Sequence, residues 1–158
     1  LTHTDLPFEL HIAGEGSLSN ELSEWAERDR RITHHGFVSL SNLFKILTLC
    51  DVTVVPSSCY ENSPTVIYES FQAGVPVIAS RIGGVGELVR DGENGLLVSP
   101  GDEAALEDAL KRFLEARDTF RAKEETIRAG MEPYAIATYT RKLERLLEAA
   151  IERKKESV

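Results

Sequence analysis

Cysteine, methionine and tryptophan are scarce in this chain, with two, one and one among 158 residues. Cys50 and Cys59 flank a strand-like run from Asp51 to Val55. Held extended at about 3.3 Å per residue, they stand roughly 25–30 Å apart, far outside disulfide reach. Free thiols and a cytoplasmic setting are the expectation. Neither the cysteines nor the four histidines show metal-ligand spacing. His34 and His35 are neighbours on a predicted strand, so their rings turn to opposite faces and cannot share one ion. Positive charge is also short: 18 Lys and Arg face 26 Asp and Glu, a net −8. That balance leaves no basic field to gather nucleic acid. No apolar run approaches the roughly 20 residues of a membrane span, and no signal peptide is visible. The first residue is Leu and not Met, which leads to the expectation of a piece of a longer chain.

What is present is alternation. The length suits one well-cored domain and falls short of two. Apolar, β-branched runs predict strands over 8–13, 32–38, 52–55, 75–79 and 95–98. Helical spacing predicts helices over 19–28, 40–49, 64–73, 102–115, 119–129 and 137–154, with Gly74 as a C-cap. Such alternation implies right-handed crossovers and a mostly parallel sheet covered on both faces. Ligands of such sheets bind beyond the carboxyl ends of the strands. Three loops occupy that edge: Gly14-Glu15-Gly16, Ser57 to Ser63, and Ser80 to Glu87. All carry glycine or small polar residues, which let a ligand approach backbone amides.

Glu61 and Glu69 bracket the middle loop and the start of the next helix. Ser63 reads as an N-cap and Pro64 as the first helical residue, where a missing N–H costs nothing. Free amides at such a helix end suit an anion such as phosphate. At about 100° per residue, Thr65, Glu69 and Gln72 share one narrow stripe and mostly apolar residues fill the rest. A carboxylate on a buried helix requires partners. Glu69 either marks a solvent-facing stripe or accepts hydrogen bonds from ligand hydroxyls, as acidic residues do from ribose. The three loops favour the second reading. A dinucleotide fingerprint is incomplete: its third glycine is Ser19, and no carboxylate stands near Gly36. No P-loop lysine follows these glycines, and Ser57-Ser58 lacks the flanking glycines of a nucleophile elbow.

The segment Glu61-Asn62-Ser63-Pro64-Thr65-Val66-Ile67-Tyr68-Glu69 resembles the Glu-seven-residues-Glu motif of retaining, nucleotide-sugar-dependent glycosyltransferases of the family-4 type. Ala13-Gly14-Glu15-Gly16, Gly36-Phe37-Val38, Ala73 to Ser80, Gly83-Gly84 with Glu87, and Asp91 to Val98 continue the pattern in order over about residues 8–155. The resemblance implies an α/β, Rossmann-like domain that is one half of a GT-B fold. Residues 1–158 would be the C-terminal nucleotide-sugar-binding domain, lacking its first strand and the N-terminal acceptor domain of the same parent chain. It assigns Glu69 to the ribose hydroxyls of a nucleoside diphosphate sugar. Glu61, the catalytic-site carboxylate, and the backbone of Asn62, Ser63, Pro64 and Thr65 would lie beside the donor sugar and diphosphate. Gly36, Phe37 and Val38 would lie along the base, and Gly14 and Gly16 near the nucleotide. The family needs no bound metal or other cofactor, since the donor is itself the substrate.

The acceptor implied is a hydroxyl of a glycan, a lipid carrier or a small molecule, chosen largely by the other domain. That domain would also set any location at the membrane surface. Two departures stand out. Many relatives carry glycine and an aromatic after the first Glu, where this chain has Asn62-Ser63-Pro64. The family's arginine and lysine come from the loop after the first strand, expected upstream of Leu1; Arg81 either meets part of the phosphate charge or is a solvated surface arginine. Two alternatives remain open: a sugar-nucleotide epimerase of similar fold, and a non-catalytic α/β nucleotide-binding or receiver domain. The former requires further acid/base groups, and the latter in its receiver form requires aspartates clustered at strand ends.

Overall fold

The structure, a computed structural model, describes residues 6–156. Strands and helices alternate as β1 (Leu10–Ile12), α1 (Ser19–Arg28), β2 (Ile32–His34), α2 (Leu40–Leu47), β3 (Thr53–Val55), α3 (Thr65–Gln72), β4 (Val77–Ser80), α4 (Val85–Leu88) and β5 (Gly95–Val98). Helices α5 (Glu103–Glu115), α6 (Arg117–Arg121), α7 (Glu124–Ala129), a 3-10 turn at Glu132–Tyr134 and α8 (Ile136–Glu156) follow. Every strand pair is parallel. The ladders fall into two sets, β1 with β2, and β3–β4–β5.

β4 shows why the chain layers as it does. It has a strand on each side, and all four of its residues are buried, as expected of a central parallel strand. Its alternate residues feed opposite faces. Val77 and Ala79 pack with Ile67 and Phe71 of α3 and with Val85, Leu88 and Ile127. Ile78 packs with Leu96, Ala109, Phe113 and Phe120. Each fully buried side chain of this size contributes about 1.5–3 kcal/mol relative to exposure. A smaller cluster of Leu47, Ala73 and Val75 joins α2 to the end of α3.

Helix boundaries correct two expectations. α3 begins at Thr65, with Pro64 itself in the cap position at φ −65° and ψ 120°. Ser63 does not cap it, because the Ser63 hydroxyl is hydrogen-bonded to the Tyr68 hydroxyl at 2.7 Å. At the other end Gly74 has φ +80°. Its N–H donates to Phe71 O and the Val75 N–H to Ser70 O, a Schellman ending that favours glycine. The single helix expected over 119–129 divides into α6 and α7. Phe120 belongs to the cluster under α5, while Ile127 belongs to the cluster under α3. Seven residues apart on one helix they would share a face, so the axis must break between them. α4 was not foreseen; its single turn buries Val85 and Leu88.

Candidate functional site

The Ser57–Ser63 loop leaves the carboxyl end of β3, and Arg81–Gly84 leaves that of β4 beside it. These two loops are packed backbone to backbone. The Gly84 N–H donates to Glu61 O at 2.8 Å. A Cβ on Gly83 would drive into the Glu61 carbonyl, and one on Gly84 into the Asn62 carbonyl. Gly83 also has φ +56°, in the left-handed region. The glycine pair is therefore the seat on which Glu61 and Asn62 rest. Glu61 is half-buried, and its Oε1 accepts a hydrogen bond from the Ser57 hydroxyl at 3.1 Å. That leaves carboxylate lone pairs open to a ligand.

Glu69 lies on the second turn of α3. Ile67, Ser70 and Phe71 turn inward and are buried, while Thr65 and Gln72 are exposed and Glu69 is half-buried. Among the described residues no hydrogen bond or ion pair engages the Glu69 carboxylate. A half-buried carboxylate with no partner among the described residues is a ready acceptor for ligand hydroxyls. At the start of the same helix, Asn62, Ser63 and Thr65 are exposed and Pro64 is buried. Pro64 thus anchors the helix start, whose first-turn amides carry the positive end of the helix dipole. Arg81, directly after β4, is exposed.

Gly14, Gly16, Gly36, Phe37 and Val38 form a second group at the carboxyl ends of β1 and β2. The Gly14 N–H donates to Gly36 O at 2.8 Å. The Phe37 N–H donates to Glu15 Oε1 at 3.3 Å, and the Gly16 N–H to the Ser19 hydroxyl at 2.9 Å. Phe37 presents its ring to solvent at 79% exposure, while Val38 is half-buried. Among the described residues no hydrogen bond joins this group to the Glu61 group. Sequence reasoning missed two of these ties. Glu15 holding the Phe37 amide leaves no local pattern, and the seating of Glu61 on Gly83-Gly84 joins segments more than twenty residues apart. No described trio of His, Cys, Asp and Glu could hold a metal ion.

Residues 1–116 match the family model described as Glycosyl transferases group 1. The chain belongs to this family. Among curated relatives, glycogen synthase of Mycobacterium tuberculosis is 33% identical over 138 residues. That match covers 83% of this chain and 33% of the relative, so the chain spans about a third of that protein's length. Among solved structures, Anabaena HepE in complex with UDP superposes with a TM-score of 0.77 at 21% identity, covering 90% of this chain and 41% of that one. Sucrose-phosphate synthase from Thermosynechococcus elongatus superposes with a TM-score of 0.71 at 31% identity, covering 90% and 39%. These neighbours have the GT-B architecture, a Rossmann-like α/β fold. Helices on both faces of parallel strands in this chain agree with it.

Proposed function

We propose that this chain is the donor-binding half of a retaining, nucleotide-sugar-dependent glycosyltransferase. The observation that carries the assignment is Glu69, half-buried near the start of α3 and engaged by no hydrogen bond or ion pair among the described residues. Glu69 accepts hydrogen bonds from the ribose hydroxyls. The Asn62–Thr65 backbone and the dipole of α3 meet the diphosphate, with no metal required. Glu61, oriented by Ser57, lies beside the donor sugar. Gly14 and Gly16 border the nucleotide, and Gly36 to Val38 border the base, where the exposed Phe37 ring offers a stacking face. HepE, the structural neighbour, has been solved with UDP and with UDP-glucose, which supports a nucleoside diphosphate sugar as donor.

The chemical task is to stabilise a departing diphosphate while an acceptor hydroxyl attacks, and fixed amides at a helix end act on that developing charge. The acceptor, a hydroxyl of a glycan, lipid carrier or small molecule, comes from the partner domain of the parent protein. Calorimetric titration of the intact parent with UDP, GDP, ADP and their sugars tests the assignment. Glu69→Ala should weaken donor binding by about 1.5–3 kcal/mol, the worth of a hydrogen bond to a charged group, and leave acceptor binding unchanged. Unchanged nucleotide affinity in a folded variant returns Glu69 to the status of a surface carboxylate.

A further inference from the structure

His34 ends β2 and His35 follows it, their rings turned to opposite faces as adjacent residues of a strand turn theirs. His35 stacks on His11, whereas His34 reaches the Gly14 turn and α1. His34 Nε2 is 3.2 Å from Gly14 O, and His34 Nδ1 is 3.1 Å from the Ser23 hydroxyl. That hydroxyl also donates to Ser19 O at 3.0 Å. Both carbonyls can only accept, and the hydroxyl has a single proton. A neutral imidazole therefore falls one contact short. With its proton on Nε2 it holds Gly14 O, but Ser23 must then donate to Nδ1 and release Ser19 O. With its proton on Nδ1 it releases Gly14 O. The imidazolium, protonated on both nitrogens, makes all three contacts at once.

The carbonyl held in this way belongs to a peptide that glycine leaves loose. Gly14 has φ +127°, and without a Cβ it lets the Gly14–Glu15 peptide rotate at little cost. The Gly14 N–H is tied to Gly36 O, and His34 supplies the tie on the other side. In a planar trans peptide the C=O and the following N–H point opposite ways. Holding Gly14 O on His34 therefore turns the Glu15 N–H away from the ring, and among the described residues no hydrogen bond engages that amide. An amide so presented suits an anion. We propose that His34 positions the Gly14–Gly16 turn for the nucleotide, that it does so fully only as the imidazolium, and that donor binding draws a proton onto it from solvent. This role rests on the donor reading of the turn. Charge acts in the same direction, since a cation beside the turn favours a diphosphate. The titratable groups around the ring are His35 and His11 on the strand side, Glu15 of the turn, and Glu27 one helical turn beyond Ser23. A charged His11 or His35 opposes a charge on His34, and Glu15 and Glu27 favour one.

Two measurements on the parent protein separate this role from the donor assignment. Without nucleotide, the Gly14 carbonyl carbon is followed by NMR from pH 8 to pH 6, within the range where an imidazole changes charge. Its shift should track protonation of the His34 ring, persist in His35→Gln and vanish in His34→Gln. With nucleotide, calorimetry uses whichever of UDP-, GDP- and ADP-glucose binds. Affinity should be about threefold higher at pH 6 than at pH 8, the lower end for one hydrogen bond where the contacts are open to solvent. His34→Gln, whose amide can still donate to Gly14 O, should bind alike at both pH values. Ser23→Ala, an exposed change on a helix, should shrink the difference, because neutral His34 then holds Gly14 O with no competing contact. A Gly14 carbonyl indifferent to His34 protonation, or an undiminished pH difference in either variant, overturns the proposal. If the carbonyl titrates as expected and none of the three sugar nucleotides binds, the donor reading is what fails.

Discussion

A methyl group at position 83 has no room, because the space it needs is held by the Glu61 carbonyl. Gly83→Ala must also hold an L-residue at φ +56°, a cost of about 1–2 kcal/mol. Displacing the neighbouring backbone adds about 1–3 kcal/mol, as overpacking does. The variant should therefore lose stability in urea titration and, in the parent enzyme, lose donor affinity as Glu61 is pushed off its seat. Gly16→Ala is the control, since its added carbon meets nothing within 4 Å. A Gly83→Ala protein as stable as the control would show that the loop yields freely and that Glu61 is not positioned by it.

β1 and β2 are joined by a pair of histidines as well as by their ladder. The His11 and His35 rings stack at 5.2 Å, with His11 Nδ1 and His35 Nε2 2.9 Å apart. That contact needs one ring nitrogen to donate and the other to accept, so it suits neutral imidazoles. Burial first, then the charges of His11 and His34, hold the His35 pKa below its ordinary 6.5. The unfolded chain therefore takes up a proton that folded His35 resists. The stability this lends is present above pH 6.5 and is lost as pH falls from there through the folded pKa. Protection factors for the Leu10 and His35 amides should drop between pH 7.5 and 5.5, and His35→Gln should flatten that drop. Equal protection at both values would leave the histidine pair without a role in pairing.

At this same scale the sequence was legible where one periodicity sufficed. α1 and β5 have the bounds their patterns predict, and α5 starts one residue inside its expected start at 102, because Asp102 caps it by accepting from the Ala105 N–H at 2.9 Å. It was illegible where two faces of the sheet compete for one segment, as at the break between Phe120 and Ile127. It was also illegible where a side chain takes a partner other than the expected one, as Ser63 does with Tyr68. At the site, Glu61 and Glu69 could be picked out because a helix start and its period relate them. Their supports, Ser57 and Gly83-Gly84, are set by adjacent strand ends, which no local spacing reveals.

On the scale of the whole molecule, the proposed donor-binding role implies that this chain alone should not transfer sugar. A transferase needs an acceptor hydroxyl held against the donor, and this chain spans about a third of the glycogen synthase it resembles. Incubation of the 158-residue protein with nucleotide sugars and candidate acceptors should yield no glycosylated product. Transfer at the parent's rate would mean that the acceptor site lies within these residues. α8 points the same way, since its apolar stripe is open: Leu146 is 62% and Ile151 56% exposed.

The division of the strands into two ladders also governs how the molecule comes apart. Nearly all the fully buried side chains surround β3, β4 and β5, whereas Ile32 is the buried residue that β1 and β2 contribute to the core. Regions with few buried apolar contacts open at lower free energy than the core they adjoin. Heating the isolated chain should therefore give two calorimetric steps, the first releasing β1, α1 and β2 and the second the three-stranded body. A single sharp transition in the short chain would show that α2 and the Leu47 cluster already bind the halves into one cooperative unit.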